Sequence, residues 1–342
     1  MSDATEEDRS RRYVARGVAQ VDATAPAAPV VLSFVLTPGF TMLAFTSAVE
    51  PLRVANQLTG RRLFEWHVWS EGGTPVTGSN GLSVIVDGPI PKDTQPGYVL
   101  ICGGVEPDTN TSQALADWIR SQWRRGRTVG SLCSGAYTLA RAGILGGRRF
   151  TLHWENIAGF CQVYPQLEPL RRLYCMDDRI VTCAGGVAGA EMVLKIISDH
   201  VGPVVAQAVM DMCLLTQNRR AEDDQVASLA SRLGTRNPHI LAAAVYIESR
   251  LEEEVQVAEC AEHIGVTSRQ LQRLFREKLG MTPKEYLTTL RLRKGRGLLA
   301  ETNLSVLEIA LSCGFSSAAH FARSFRRKYG VSPTKFSHFG GA

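Results

Sequence analysis

The stretch Val129 to Gly143, VGSLCSGAYTLARAG, joins a short apolar segment to a helical one through a turn with Cys133 at its tip. The residues two positions before and after the cysteine are Ser131 and Gly135, and a sharp strand-to-helix turn requires residues this small. Such a turn presents its central side chain at the carboxyl end of a strand, where many hydrolases hold a nucleophile. The stretch therefore predicts a strand, a turn and a helix, with Cys133 as the first candidate for chemistry.

The same order of strand, glycine turn and helix recurs between residues 29 and 217. Apolar runs such as VVLSFVL and GYVLICGG are typical of strands that are buried on both faces. Strands that alternate with helices predict an α/β domain with a doubly wound, mostly parallel sheet. Ligands bind such sheets at the carboxyl ends of the strands, so we expect the turns at Gly39, Gly103, Cys133 and Gly185 to surround one pocket.

Charge is distributed unevenly along the 342 residues, whose net charge is +5. Residues 231–342 hold 17 Lys and Arg against 10 Asp and Glu, whereas the preceding residues are slightly acidic. A basic C-terminal part indicates a region that binds a polyanion. The predicted organisation is a disordered leader over 1–28, the α/β domain over 29–217, a linker over 218–237 and an all-α domain over 238–339.

The cysteine spacing and the hydropathy argue against several classes of protein. The eight cysteines include no Cys-x-x-Cys pair, so we expect neither a zinc site nor a disulfide framework, and no cofactor. No apolar run has the roughly 18 residues of a membrane span, and the first thirty residues lack the apolar core of a signal peptide. These features predict a cytoplasmic protein with no membrane partner.

The C-terminal part contains an internal repeat, in which residues 261–286 align with residues 310–336. Each copy predicts a short helix, a glycine turn and a second helix that begins at a Ser or Thr and ends at a Gly, which is a helix-turn-helix. The second helix of such a unit lies in the major groove of DNA, where Arg and Gln contact base edges and other basic residues contact phosphate. Ser324 is also expected to point outward. The predicted DNA contacts are Ser268, Arg269, Gln270, Gln272, Arg273, Lys278, Ser317, Ala318, His320, Arg323 and Arg327.

This region resembles the AraC-type DNA-binding domain over residues 238–339. The motifs that carry the resemblance are GVTSRQLQRLFREKLGMTPKEYL and NLSVLEIALSCGFSSAAHFARSFRRKYGVSPTKF. The resemblance implies two helix-turn-helix units, joined by a long helix, that read two successive segments of the major groove. Arg269, Arg273 and Arg323 align most closely with the base-contacting positions of that family.

Residues 30–217 resemble the glutamine-amidotransferase-like ThiJ/PfpI superfamily, which has a flavodoxin-like sheet. The motifs are LICGG, GSLCSGAYTLARAGILGGRRFTLHW and IVTCAGG, and they imply that Cys133 holds the nucleophile-elbow position and His153 the histidine position. Enzymes of the superfamily commonly place an acidic residue near the first βα turn. Here TPGFTMLAFTSAVE contains no carboxylate before Glu50. We therefore expect no enzyme, with Cys133 and His153 as vestiges of a catalytic site.

Together the two domains resemble the GlxA-type transcriptional regulators, and GFTMLAFTSAVEPLRVANQLTG is similar to the branch that responds to arginine, carnitine or glycine betaine. The implied partners are operator DNA, a small-molecule effector, a second copy of the chain and, for an activator, RNA polymerase. Aromatic rings suit a cation, whose charge Glu50 or Glu191 could balance, and the backbone N–H groups of two glycines suit an anion. The predicted effector pocket consists of Phe40, Gly103, Gly104, Cys133, Ser134, His153, Trp154 and Glu191.

Two other functions remain open on the residues alone. One is a Cys-His enzyme of amidase or glyoxalase type that carries a DNA-binding domain. The other is a redox sensor that uses the thiol of Cys133.

Overall fold

The computed structural model describes residue 14, residues 17–24 and 26–215, residues 219, 221 and 223–225, and residues 229–339, with the side chains of residues 231, 301 and 337–339 left out. The chain divides into two compact units. Unit 1 comprises Met1–Ile157 and Tyr164–Gln225, and unit 2 comprises Ala158–Val163 and Val226–Ala342. Each unit is described by itself.

Most of the predicted leader, residues 1–28, lies outside the described residues. Its described part includes Val21, whose backbone N–H donates to the carbonyl oxygen of Leu58 at 2.8 Å. Val21 and Ala23 pack against the core of unit 1.

Unit 1 is built on a seven-stranded sheet in the order β5-β2-β1-β6-β7-β9-β8, and β3 and β4 form a separate antiparallel pair. Every neighbouring pair in the large sheet is parallel except β8 and β9. The strands are β1 (Val30–Leu36), β2 (Phe64–Ser70), β3 (Val76–Thr77), β4 (Ser83–Val84), β5 (Gly88–Pro89), β6 (Gly97–Cys102), β7 (Thr128–Leu132), β8 (Tyr174–Asp177) and β9 (Ile180–Cys183).

This sheet confirms the predicted doubly wound, mostly parallel fold. Strands β2, β1, β6, β7 and β9 follow the flavodoxin-like order, in which the direction of winding reverses between β1 and β6. Because parallel crossovers are right-handed, the reversal places helices on both faces of the sheet. It also opens a crevice at the carboxyl ends of the strands, and this crevice is where the predicted pocket residues lie.

Between residues 42 and 212, all of which are described, six helices alternate with the strands or follow them along the chain. The helix after β1 packs against the two helices that follow β9, and the helix after β6 packs against the helix after β7. They are α1 (Met42–Thr59), α2 (Gln113–Arg124), α3 (Ala136–Arg141), α4 (Ile157–Val163), α5 (Ala188–Val201) and α6 (Pro203–Met212), of which α4 spans the boundary between the units.

Unit 2 is helical, and the two copies of the repeat each have a core of their own. The first core is built around Leu271 and Phe275, and the second around Phe321 and Phe325. The helices are α7 (Leu229–Leu233), α8 (Pro238–Glu248), α9 (Val257–His263), α10 (Ser268–Leu279), α11 (Pro283–Glu301), α12 (Val306–Ser312), α13 (Ala318–Tyr329) and α14 (Pro333–Phe339).

Corresponding residues begin and end the second helix of each copy, as the repeat predicts. The side chain of Thr267 accepts a hydrogen bond at the start of α10, and that of Ser317 does so at the start of α13. Gly280 and Gly330 end these helices in the left-handed conformation, with φ of 68° and 78°, which glycine adopts without a steric penalty. The predicted helix-turn-helix is therefore present twice, with α11 between the copies.

Candidate functional site

The turn after β7 has the geometry of a nucleophile elbow. Cys133 is buried and has a φ of 57°, a left-handed conformation that costs a non-glycine residue about 1–2 kcal/mol. Two residues of the neighbouring loops lie so close to the turn that each must be glycine. A Cβ at Gly103 would lie 2.4 Å from the backbone nitrogen of Gly135, and one at Gly185 would lie 2.8 Å from the Cβ of Cys133. The carboxyl ends of β6, β7 and β9 therefore meet at this cysteine.

Thr41, which the sequence analysis did not single out, touches the thiol. It comes from the turn after β1, and its hydroxyl donates a hydrogen bond to the Sγ of Cys133 at 3.4 Å. The first carboxylate of this region, Glu50, lies well along α1, where it pairs with Arg53 at 2.8 Å. A hydroxyl thus stands beside the cysteine, in the turn where enzymes of the resembled superfamily commonly carry an acid.

His153 joins the elbow through its backbone, whose N–H donates to the carbonyl oxygen of Cys133 at 3.4 Å. Its ring lies against Trp154, with ring centroids 5.5 Å apart. Burial lowers the pKa of His153, so that the imidazole is neutral at neutral pH. Trp154 is 42% exposed and is the accessible aromatic side chain among the predicted pocket residues.

Two further cysteines lie next to the elbow. Cys102 ends β6 and Cys183 ends β9, and both are buried. Burial raises the pKa of Cys183 to about 12 and raises that of Cys102 as well. These two thiols are therefore protonated at neutral pH and pack as small apolar side chains.

The surroundings of Phe40, Gly103 and Gly104 differ from those that the predicted pocket requires. Phe40 is completely buried, and its ring packs edge-on against Phe45 at 5.8 Å, so we assign it to the core and not to a pocket wall. The N–H of Gly103 donates to the carbonyl oxygen of Leu132 at 3.2 Å and is not available to an anion. The carbonyl oxygen of Gly104 accepts the hydroxyl of Ser134 at 2.6 Å, so this serine fastens the elbow to the neighbouring loop.

Glu191 lies in the first turn of α5, and its side chain is only 5% exposed. Both of its carboxylate oxygens accept from Arg219, with Nε to Oε1 at 2.6 Å and Nη2 to Oε2 at 3.1 Å. Burial raises the pKa of Glu191, while the guanidinium opposes that rise. Because α5 is the helix that follows β9, its first turn lies near the carboxyl end of that strand. The carboxylate that was predicted to bind a cationic ligand is therefore already paired with the guanidinium of Arg219.

In unit 2, α10 presents its predicted DNA contacts to solvent. Leu271 and Phe275 are fully buried beneath the helix. Ser268 is half-buried next to the cap residue, and Arg273 has an exposed partner, Glu277, at 3.1 Å. The exposed members of the predicted set are Arg269, Gln270, Gln272, Arg273 and Lys278.

Of the predicted DNA contacts in α13, His320, Arg323 and Arg327 are exposed, and Ala318 is half-buried. The hydroxyl oxygen of Ser317 accepts the N–H of His320 at 3.2 Å and caps the helix, as the repeat predicts, and its contact with DNA stays a prediction. The prediction that Ser324 points outward is wrong, since it is only 5% exposed. Ser324 lies three positions after Phe321, on the face of the helix that contacts the core.

Two basic residues of α11 connect the segment before the first copy of the repeat to the second copy. Arg291 donates to the carbonyl oxygens of Leu251 and Glu253 in that segment, at 2.7 Å and 2.5 Å. Lys294 contacts Glu252 at 2.6 Å and donates to the carbonyl oxygen of Ser312, in the second copy, at 2.7 Å. These contacts fix α11 to both halves of unit 2.

A groove of about 370 Å³ separates α11 from α13 on the same unit. Five titratable side chains contribute to its walls, and Lys328 also donates to the hydroxyl of Thr289 at 3.4 Å. The groove is lined by Lys284, Glu285, Thr288, Thr289, Leu292, His320, Ser324, Arg327 and Lys328.

Among the residues that the structure describes, no group of three or more His, Cys, Asp or Glu side chains has the arrangement of a metal site. Within the same residues, no helix combines the length and the apolar character of a membrane span.

Comparison with known proteins finds similarity along both units. Residues 33–199 match the model of the DJ-1/PfpI family, and residues 260–338 match that of a helix-turn-helix domain. HTH-type transcriptional regulator CdhR of Pseudomonas aeruginosa is 41% identical over 88% of this chain and 90% of its own length. HTH-type transcriptional regulator GlxA of Rhizobium meliloti is 35% identical over 91% of this chain and 96% of its own length. The crystal structure of an AraC family transcriptional regulator from Pseudomonas putida shares the fold, with a TM-score of 0.50 at 24% identity, and the match covers 54% of this chain and 100% of that one.

Proposed function

We propose that this chain acts in the cytoplasm and alters its operator binding when a small metabolite with a cationic group binds unit 1. It belongs to the family of HTH-type transcriptional regulators that join a DJ-1/PfpI domain to an AraC-type helix-turn-helix domain. The family confirms the prediction of a DNA-binding transcriptional regulator rather than an enzyme. The effector, a second copy of the chain and, for an activator, RNA polymerase are partners that we propose.

The repeat of exposed Arg and Gln side chains over two apolar cores supports the DNA-binding surface that we propose. Arg269 and Arg273 on α10 and Arg323 on α13 are the base-reading candidates, because a guanidinium makes two hydrogen bonds to guanine. Lys278 and Arg327 lie in the later turns of their helices, where contact to phosphate is more natural. Two reading helices on one unit fit two successive segments of the major groove.

The single observation that carries the effector half is the buried carboxylate of Glu191 in the first turn of α5, the helix that follows β9. A carboxylate this deeply buried needs a positive partner, since the desolvation of a lone charge is costly. Trp154, which is exposed next to His153, offers an aromatic face of the kind that binds quaternary ammonium groups. An amino acid, betaine or carnitine that carries a guanidinium or ammonium group fits this chemistry.

The experiment is a thermal-shift screen of the full chain against L-arginine, L-carnitine and glycine betaine, followed by operator binding with and without each compound. A ligand that binds the folded state raises the melting temperature by an amount that grows with the logarithm of its concentration over the Kd. We expect at least one of these compounds to raise it and to change operator affinity several-fold. If all three leave both quantities unchanged, the proposed effector class is wrong, while the DNA-binding function stands.

A further inference from the structure

The groove between α11 and α13 has a basic rim and a floor that holds a buried hydroxyl. On α11, Lys284, Thr288 and Leu292 line it at a spacing of four residues. Residues at this spacing share one face of a helix, so α11 turns one face to the groove. On α13 the lining includes Ser324, which is only 5% exposed. Leu292 and Ser324 are the buried members of the lining, and the others are exposed or half-buried.

Two hydroxyl groups in the groove can donate to a ligand. That of Ser324 has no hydrogen-bond partner among the residues that the structure describes. Because a buried polar group without a partner is costly, we expect a ligand or water to meet it. The hydroxyl of Thr289 accepts from Lys328 at 3.4 Å and keeps its own hydrogen to donate. The hydroxyl of Thr288 is used within α11, where it donates to the carbonyl oxygen of Lys284 at 2.8 Å.

The charge of the groove is mainly positive. Its fully charged side chains at neutral pH are Lys284, Glu285, Arg327 and Lys328. Within the described part of the chain, none of these three cations forms an ion pair. Glu285 is directed to the start of its own helix, where Oε2 accepts from the N–H and the hydroxyl of Thr282 at 2.7 Å and 2.9 Å. Positive charge with free hydroxyl donors suits a ligand group that only accepts hydrogen bonds, such as a phosphate.

The first copy of the repeat lacks this chemistry at the matching positions. Ser324 and Arg327 align with Leu274 and Glu277. Leu274 packs against the first core, and Glu277 pairs with Arg273 at 3.1 Å. Where the first copy has an apolar and an acidic side chain, the second therefore has a hydroxyl and a guanidinium. Helix packing alone does not require this difference, whereas an anion does.

We propose that the groove holds one phosphate group of the operator backbone, so that α11 binds DNA as well as joining the two copies. This rests on the proposed function and extends it to residues outside the reading helices. The groove shares His320 and Arg327 with the predicted DNA contacts of α13. Arg323, a base-reading candidate, lies between them on the helix, so a phosphate next to the contacted bases comes within reach of the groove. Lys284 and Ser324 are then phosphate contacts.

The test uses the full chain and operator duplexes in which single phosphates are replaced, one at a time, by uncharged methylphosphonates. The operator is obtained by selecting, from a library of random duplexes, those that the parent binds. Fluorescence anisotropy gives the Kd of the parent, Lys284→Ala and Ser324→Ala for each duplex at several salt concentrations. Circular dichroism at 222 nm checks that each variant is folded.

We expect one backbone position at which the methylphosphonate weakens binding of the parent by about 3- to 10-fold but that of Lys284→Ala by less than about 2-fold. At all other positions the two chains should respond alike. Ser324→Ala should reduce the effect at the same position by less, because it removes a neutral donor. Lys284→Ala should also lower the salt slope by about 1. A lysine that only supports the fold predicts no such coupling, since it touches no phosphate.

Arg293→Ala is the matched control. Arg293 is also an exposed cation of α11, but it lies nine positions after Lys284 and therefore on the opposite face of the helix. Its loss should leave the full effect of the methylphosphonate at the coupled position. Lys284→Arg keeps the charge and should respond as the parent does, and Lys284→Gln repeats the test if Lys284→Ala is not folded.

Calorimetry with pyrophosphate in the absence of DNA distinguishes the operator from a free phosphate compound. If no position is coupled to Lys284, and pyrophosphate binds the parent but not Lys284→Ala, the groove takes a free phosphate compound and the operator contact is refuted. If there is neither coupling nor pyrophosphate binding, the phosphate site is refuted while the DNA-binding function stands. If the parent selects no duplex from the library, the proposed function is wrong and the operator contact with it.

Discussion

At the scale of single residues, Cys133 lies in a tightly constrained environment in unit 1. Its left-handed backbone, the close approach of Gly103 and Gly185 and the hydroxyl of Thr41 are what an elbow requires. The structure of a catalytic turn has therefore been kept in a family of transcriptional regulators. Fold and function are separable here because the elbow serves two purposes. It packs the ends of three strands together, and in enzymes it also holds a nucleophile.

A change of Cys133→Ala should leave operator binding within about 2-fold of the parent and should alter only the response to the effector. The Sγ of Cys133 accepts a hydrogen bond from Thr41, an interaction that DNA binding by unit 2 does not need. Electrophoretic mobility shifts with and without effector measure both effects. Cys133→Ser is the control that retains an acceptor for Thr41, and loss of operator binding in both variants would contradict the assignment.

Arg273→Ala and Lys278→Ala should differ in kind, although both remove an exposed positive charge from α10. Loss of Arg273 should cost about 1–3 kcal/mol and relax the preference at one base pair. Loss of Lys278 should weaken binding to all sequences alike and lower the salt slope by about 1. Titration of a set of single-base operator variants at several salt concentrations distinguishes the two. Identical profiles would show that the two side chains are not divided between base and phosphate.

Several of these residues were predictable, and the reasons for the exceptions are specific. The outward set on α10 follows from the 3.6-residue period, because Leu271 and Phe275 fix the inner face. Ser324 contradicts the prediction, yet its position matches Leu274 in the repeat, and Leu274 packs against the first core. Arg219 was beyond the reach of sequence reasoning because its partner lies 28 positions away and on another element.

At the scale of elements, the ends of the helices in unit 2 are specified by local chemistry. Thr282 with Glu285 and Ser305 with Glu308 form capping boxes, in which each side chain bonds to the backbone of the other. Such local signals made the repeat recognisable. The strand β8 (Tyr174–Asp177) gave no such signal, because four residues are too few to show alternation and it is held by its antiparallel pairing to β9.

Glycines two positions apart in α11 provide a matched test of packing. A Cβ at Gly295 would lie 2.6 Å from the ring of Phe321, whereas one at Gly297 would meet nothing within 4 Å. We expect Gly295→Ala to lower the free energy of unfolding of unit 2 by about 1–3 kcal/mol, and Gly297→Ala to raise it by about 0.5–1 kcal/mol. All five tryptophans precede residue 155, so circular dichroism at 222 nm and not tryptophan fluorescence must follow this unit. Equal effects of the two substitutions would contradict the predicted contact.

The capping boxes also give unit 2 a pH dependence. Hydrogen bonds from Thr282 lower the pKa of Glu285, and those from Ser305 lower the pKa of Glu308. A carboxylate whose pKa is lower in the folded state stabilises the fold above its unfolded pKa of about 4.3 and loses that contribution as the pH falls through the folded value. The parent should therefore be more stable than Glu285→Gln/Glu308→Gln at pH 7, with the difference shrinking below about pH 4. Urea midpoints at both pH values measure it, and a difference independent of pH would contradict the hydrogen-bonded geometry.

On the scale of the whole molecule, charge is divided along the chain between the two functions. Residues 231–342 carry an excess of seven positive charges, while residues 1–230 carry a slight negative excess. The buried Glu191 lies in the second group, and the exposed arginines of the reading helices lie in the first. Operator binding therefore depends on exposed positive charges, whereas the proposed effector binding depends on a buried carboxylate.

Raising the salt concentration from 50 to 200 mM should weaken operator binding by at least about 10-fold, because released counterions drive contact with phosphate. Effector binding should change by less than about 2-fold, since salt screens buried pairs much less than exposed ones. Fluorescence anisotropy with labelled operator and calorimetry with the effector give the two slopes. A steep salt dependence of effector binding would place the cation site at the surface.

The two cores of unit 2, one around Leu271 and the other around Phe321, have a consequence for how such a regulator diverges. Each reading helix rests on residues of its own copy, so substitutions that remodel one helix leave the packing under the other intact. After gene duplication, half of an operator can therefore be rewritten while the other half is retained. New target sites are then reached through intermediates that still recognise half of the ancestral one.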